Sequence, residues 1–139
     1  MNKDELIRGL NDDLAAEWGT IVRYTYQSSR AVGLRGAELR DLLAKEIPDE
    51  LGHARYLTDV ITDLGGDPQT QPKEFDKPSD IKAMVELDLK MEESDVQNYS
   101  KHAQMADALG LTGVKVKLEE MAADEYGHAR DLRRILRGL

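Results

Sequence analysis

Nine residues, Asp49-Glu50-Leu51-Gly52-His53-Ala54-Arg55-Tyr56-Leu57, recur 75 positions later as Asp124-Glu125-Tyr126-Gly127-His128-Ala129-Arg130-Asp131-Leu132, with seven of nine identical. The same offset carries Leu14 onto Leu89, Glu17 onto Glu92, Ile21 onto Val96 and Tyr24 onto Tyr99. The chain therefore reads as two copies of one unit. Two such copies pack around a pseudo-two-fold axis, and a site at their centre is built twice.

The repeated unit is helical. Four segments, roughly 3–32, 36–64, 79–108 and 112–137, carry apolar residues at spacings of three and four, and none alternates like a strand. Asn2, Ser79 and Thr112 are expected N-caps, and Gly65 and Gly138 expected stops. Pro48 falls inside the second segment and predicts a kink or local bulge rather than an end. The stripe Leu39, Leu43, Glu46, Glu50, His53, Leu57, Val60, Leu64 stays in phase through it.

Connection lengths set the topology. A few residues join the first two helices, and a few join the last two, so each pair is an antiparallel hairpin. The second helix, about 29 residues long, spans about 43 Å. The stretch from Gly65 to Pro78 holds three of the four prolines and reads as a long loop. Its reach of about 46–50 Å spans the bundle and sets the third helix parallel to the second. The expected fold is all-α: one domain over residues 1–139, a four-helix bundle with one long crossover.

Carboxylates interrupt the apolar stripes at matching places. Glu17 sits within Leu10, Leu14, Ile21, Tyr24, and Glu92 within Val85, Leu89, Val96, Tyr99. Its neighbour Glu93 falls on the wet face with Glu86, Lys90, Gln97 and Ser100. Glu50 with His53, and Glu125 with His128, are Glu-x-x-His pairs whose members lie one above the other on a helix. Counted from the two hairpin turns, all four glutamates meet at one level to within about one helical turn. Four buried carboxylates repel one another and resist desolvation unless cations pair them. Two divalent ions balance the four charges, and carboxylate plus imidazole ligation suits iron or manganese.

Composition removes the competing chemistries. There is no Cys, so disulfides, thiolate catalysis and Cys-held metal clusters are excluded. The net charge of −8 disfavours a nucleic-acid partner. No apolar run approaches the roughly 20 residues of a membrane span, so no membrane partner is expected. The charged start Met1-Asn2-Lys3-Asp4-Glu5 leads into no apolar signal segment, and a cytoplasmic location is expected.

The order Glu, Glu-x-x-His, Glu, Glu-x-x-His, one set per helix, resembles the ferritin-like di-iron carboxylate proteins over nearly the whole chain, and most of all bacterioferritin. The resemblance implies that Glu17, Glu50, His53, Glu92, Glu125 and His128 are metal ligands. It implies that Glu50 and Glu125 bridge two metals, with Glu17 and His53 on one and Glu92 and His128 on the other. It implies a ferroxidase that oxidises Fe(II) with O2 or H2O2, in iron storage or detoxification, and a homo-oligomer, dimer or larger. The expected cofactor is two iron ions per chain, with manganese possible.

Some positions depart from the family pattern. Bacterioferritin binds haem through a Met at the position of Leu51, so no haem is expected here. Its chain continues into a short fifth helix, whereas this one stops at Leu139, which leaves a large shell open. Rubrerythrin, a peroxidase relative, carries a four-Cys domain that is missing here. It also has an extra Glu at the position of Asp95. A rubrerythrin-type peroxidase without mineral storage is the alternative function, and a metal-free helical interaction module the third.

Other residues have two readings each. Tyr24 and Tyr99, seven residues after Glu17 and Glu92, are core tyrosines, or phenols that bond a ligand carboxylate or carry redox chemistry. Glu46 is a rim residue or an accessory carboxylate, and Asp95 a flanking residue or a ligand. His102 reads as a surface histidine, Trp18 as packing or a subunit contact, and Asn11-Asp12-Asp13 as a solvated face.

Overall fold

The structure is a computed structural model that describes residues 2–139. Its helices are α1 (Lys3–Arg30), α2 (Gly33–Asp63), α3 (Ile81–Ala108) and α4 (Thr112–Arg137), and the described residues hold no strand. This is the expected all-α four-helix bundle. The main pairings are α1 with α2 and α3 with α4. The crossover occupies the residues between Asp63 and Ile81.

Local chemistry explains where the helices begin. Asn2 caps α1, its Oδ1 accepting from the Glu5 amide at 2.9 Å. Asp80, not Ser79, caps α3, accepting from the Ala83 amide at 2.8 Å. A carboxylate at a helix N-terminus also meets the positive end of the dipole. Thr112 is the first residue of α4, and its N-cap, Leu111, offers no side-chain acceptor. α2 begins three residues earlier than the spacing suggests. Gly33 takes φ 79°, a left-handed turn that an L side chain resists, and the chain reverses there at once. α2 then continues through Pro48 to Asp63.

The core is two apolar clusters with a polar layer between them. Leu6, Leu10, Leu57, Ile61, Ala106 and Leu118 belong to the cluster toward one end. Leu39, Leu43, Met84, Val85 and Leu132 belong to the cluster toward the other. Glu17, Glu50, Glu92 and Glu125, all fully buried, fall between them in sequence on their four helices. Each helix therefore buries apolar residues on both sides of a central carboxylate. Burial of Leu-sized side chains contributes about 1.5–3 kcal/mol each, which offsets the cost of ordering that polar layer.

The crossover is held to α1. The Lys73 amide donates to the Ala15 carbonyl at 2.9 Å, the Trp18 indole to the Gln69 carbonyl at 3.0 Å, and Asn11 brackets Asp67 and Gln69. Trp18 thus ties down this chain's own crossover as well as packing on the core. A Cβ at Gly19 would lie 2.8 Å from the Lys73 carbonyl oxygen. Gly19→Ala is therefore expected to push the crossover away and cost about 1–3 kcal/mol, read as a lower denaturation midpoint. An unchanged midpoint would show that the crossover is not held there.

Two surface readings are corrected. Asp13 is 4% exposed and His102 7% exposed, and the Asp13 carboxylate bonds His102 Nδ1 at 2.5 Å across α1 and α3. Each is the other's reason for burial, since a buried polar group needs a partner. At the position equivalent to Asp13, the buried Asp88 accepts from Arg23 Nε at 2.8 Å, again between α3 and α1.

Candidate metal centre

Six residues predicted from spacing converge in the polar layer. Glu17, Glu50, His53 and Glu125 offer ligand atoms that all lie within 4.8 Å of one another, and so do Glu50, Glu92, Glu125 and His128. Glu50 and Glu125 belong to both groups, whereas each remaining Glu and His belongs to one. Spacing along single helices could not distinguish those two carboxylates; the packing does.

The imidazoles are held from behind. His53 turns Nδ1 inward, 3.0 Å from Glu17 Oε2 and 3.5 Å from Glu125 Oε1, and its Nε2 lies 2.9 Å from Asp124 Oδ2. His128 turns Nδ1 inward, 3.3 Å from both Glu50 Oε1 and Glu125 Oε1, and its Nε2 lies 3.1 Å from Asp49 Oδ2. Asp49 lies on α2 and reaches the histidine of α4, while Asp124 on α4 reaches the histidine of α2. A carboxylate that takes the outer N–H fixes the tautomer and leaves the inner nitrogen as a lone-pair donor. The signal for both aspartates was in the sequence: each precedes a Glu-x-x-His glutamate in the repeat.

The carboxylates are short of donors. Glu17 Oε1, both oxygens of Glu50, Glu92 Oε2, both oxygens of Glu125 and His128 Nδ1 are buried without a hydrogen-bond partner. Acceptors left this way cost about 1–3 kcal/mol each or more. They point together, and a cation is what such a set of acceptors lacks. The donor set of oxygens and imidazole nitrogens, with no thiolate, fits iron or manganese.

Electrostatics without a metal agree with this. Burial, then the charges of Glu50, Asp95 and Glu92, raise Glu17 well above the ordinary carboxylate range. Burial, then Glu17 and Glu50, raise Glu125 in the same way. Burial would also raise Glu50, but the closeness of His128 and Glu125 and the charge of His53 outweigh it and hold Glu50 low. Burial would lower His128, but the carboxylates of Glu50, Glu92 and Glu46 around it push it up to about 12. The polar layer thus traps protons where cations would otherwise sit.

The neighbouring residues differ between the halves. The Tyr24 hydroxyl donates to Glu92 Oε1. Its repeat partner Tyr99 is buried with its hydroxyl unpartnered and meets the His53 ring edge-on at 6.0 Å. Glu46 is not a rim residue. It is 3% exposed, both oxygens lack partners, and Oε2 lies 3.8 Å from His128 Nδ1. Burial pushes it up to about 8 against the opposing charge of His128. Its repeat equivalent is Met121, so this carboxylate serves one half only. Asp95 is 7% exposed, and burial followed by the Glu92 charge raises it well above the ordinary range. Leu51 is 42% exposed. A groove of about 580 Å³ between α2 and α4, lined by Lys45, Glu46, Asp49, Asp124 and His128 among others, reaches the centre from outside.

Known proteins share the fold. A ferritin-like diiron-carboxylate protein from Bacillus anthracis superposes with a TM-score of 0.94 at 38% identity, covering 98% of this chain and 99% of its own. The bacterioferritin of Mycobacterium tuberculosis superposes at 0.87 with 27% identity, covering 96% and 84%. A dodecameric thioferritin from Bacteroides fragilis superposes at 0.87 with 21% identity, covering 99% and 88%. No curated protein matches the sequence significantly. No helix among the described residues is long and apolar enough to cross a membrane. The ferritin-like domain matches residues 7–139, and with this coverage the chain belongs to the ferritin-like family of diiron-carboxylate proteins.

Proposed function

We propose that this chain holds two iron ions on Glu17, Glu50, His53, Glu92, Glu125 and His128 and oxidises Fe(II) with O2 or H2O2. The observation that carries this reading is the pair of four-residue groups sharing Glu50 and Glu125. Two Fe(II) supply two electrons, enough to reduce H2O2 to two waters or O2 to H2O2. The four carboxylates offset the +4 of two Fe(II). Asp49 and Asp124 hold the outer imidazole nitrogens and so aim the inner ones. Tyr24 donates its hydroxyl proton to Glu92 Oε1 and orients that carboxylate. Glu46, buried beside His128, adds a further carboxylate next to the centre.

Storage or detoxification of iron is the role proposed, in a homo-oligomer, and the dodecameric relative supports assembly of this fold. The second reading is a peroxidase that keeps its two ions and mineralises nothing. The buried Asp95 beside Glu92 supports it, because it adds a carboxylate to one side of the centre. Native mass with iron content after growth in iron separates the two. A large assembly with hundreds of irons means storage, and a small one with two per chain means an enzyme.

Helical phase provides a sharp test of the oxidation reading. Glu92 is fully buried, whereas Glu93 is 52% exposed and pairs with Arg133 at 3.1 Å. Glu92→Gln is expected to slow O2-dependent Fe(II) oxidation by about 100-fold, in line with loss of a metal-site carboxylate. Glu93→Gln is expected to leave the rate within about twofold, because surface pairs contribute little. Stopped-flow absorbance reads both, and the reverse order would defeat the assignment.

A further inference from the structure

The buried Asp13–His102 pair lies outside the centre just described. His102 is ten residues past Glu92, about 15 Å along α3. Its Nδ1 is engaged by Asp13 at 2.5 Å. Nε2 has no hydrogen-bond partner among the described residues, although the residue is 7% exposed. His102 lines a groove of about 430 Å³ between α1 and α3. Gly9 packs against the ring: a Cβ there would strike it, 2.4 Å from Nε2 and 2.7 Å from Cδ2. The glycine lets the His102 ring lie directly against α1.

The chemistry of this arrangement is that of a metal-binding histidine. A carboxylate that accepts from Nδ1–H fixes the tautomer whose Nε2 carries the free lone pair, and raises its basicity. The same device holds His53 and His128 in the centre, with the ring nitrogens exchanged. Glu5 and Asp12 line the groove from α1, one turn before and one turn after Gly9. Asp12 is exposed and Glu5 partly exposed, so both carboxylates can turn toward an ion at Nε2. Arg8 and Lys101 stand on the same rim and are the only cations lining it among the described residues. With Asp13 included, the carboxylates outnumber them.

We propose that this groove is a third metal site, where His102 Nε2 with Glu5 and Asp12 takes one divalent transition-metal ion, held more loosely than the central pair. The imidazole favours iron, cobalt, nickel or zinc over magnesium or calcium, which prefer all-oxygen shells. The site is independent of the oxidation chemistry proposed above, since none of its residues belongs to either central group.

Anomalous diffraction from crystals of the full chain grown with Co(II) tests it. The expected result is three ions per chain, the third about 2.1 Å from His102 Nε2. Isothermal titration with Co(II) should then show a weaker third equivalent. His102→Gln, whose amide still reaches Asp13, should remove that equivalent and leave two. Glu5→Gln with Asp12→Asn changes no fully buried side chain, and should weaken the third equivalent at least about tenfold with His102 intact. If His102→Gln does not fold, the wild-type map and the rim double variant decide. Saturation at two ions with no peak on Nε2 overturns the site. So does a third peak on other residues, or a groove that answers inorganic phosphate and not Co(II). Failure of the central reading shows separately, as fewer than two ions on the six central residues.

Discussion

Glu50→Ala and Glu125→Ala are each expected to abolish tight binding of both central ions, with affinity falling more than about 100-fold for the pair. Even a residue that only supports a ligand is worth about 10–100-fold in metal affinity, and these two carboxylates belong to both ligand groups. Glu17→Ala is different in kind. Glu17 belongs to one group only, so one ion should remain on Glu50, Glu92, Glu125 and His128. Anaerobic titration with Fe(II) or Co(II) reads the stoichiometry, and far-UV circular dichroism checks that the helices persist. Two tight ions in Glu50→Ala or Glu125→Ala, or none in Glu17→Ala, would contradict the shared-carboxylate geometry.

Metal-free protein is expected to lose stability as pH rises from about 5 to about 8, and bound metal to reverse the trend. Burial and mutual charge raise Glu17 and Glu125, and burial pushes Glu46 up to about 8. A carboxyl raised in the folded state binds more protons folded than unfolded. Its stabilisation is present below the unfolded value of about 4.5 and is lost as pH climbs through the folded value. His128, pushed up to about 12, acts in the same direction above its unfolded value of about 6.5. Glu50 is held low and opposes them only in more acidic solution. A loss of about 2 kcal/mol lowers Tm by roughly 8 °C in a chain of this size. Two divalent ions pair the charges and stabilise by about 2.7 kcal/mol for each independent site at one hundred times Kd. Replacing Glu17 and Glu92 with Gln should flatten the metal-free pH profile and remove most of the metal effect. Thermal melting at several pH values, anaerobically with and without Mn(II), reads all of this. A wild type that melts at one temperature in every condition would mean that the carboxylates do not share a buried layer.

Much of the architecture was legible because helical periodicity is a property of one strand of sequence. The stripes of Leu10, Leu14, Glu17, Ile21 and of Leu89, Glu92, Val96, Tyr99 place a carboxylate on each buried face without reference to any neighbour. The length of the Gly65–Pro78 stretch selected the crossover topology by reach alone. Asp49 and Asp124 could have been found in the repeat. Apolar spacing gave them no weight, because each side chain is about half exposed.

Asp13 and His102 show the opposite case. Asp13 sits in a polar run, Asn11-Asp12-Asp13, and His102 lies among Ser100, Lys101 and Gln104, so each helix alone reads as a wet face there. Only when α1 packs on α3 do the two polar groups meet and bury each other. Glu46 was undecided for the same reason, since its burial depends on His128 arriving from α4.

By itself, then, the sequence determined the number of helices, the pseudo-two-fold doubling, the crossover, and the level at which four glutamates and two histidines gather. Spacing fixes the angle and height of a residue on its own helix. The tertiary structure decided which carboxylates are common to both ligand groups, which imidazole nitrogen faces inward, and which aspartate of the opposite hairpin holds the other. Those are relations between helices, set by how side chains from different segments share one desolvated space.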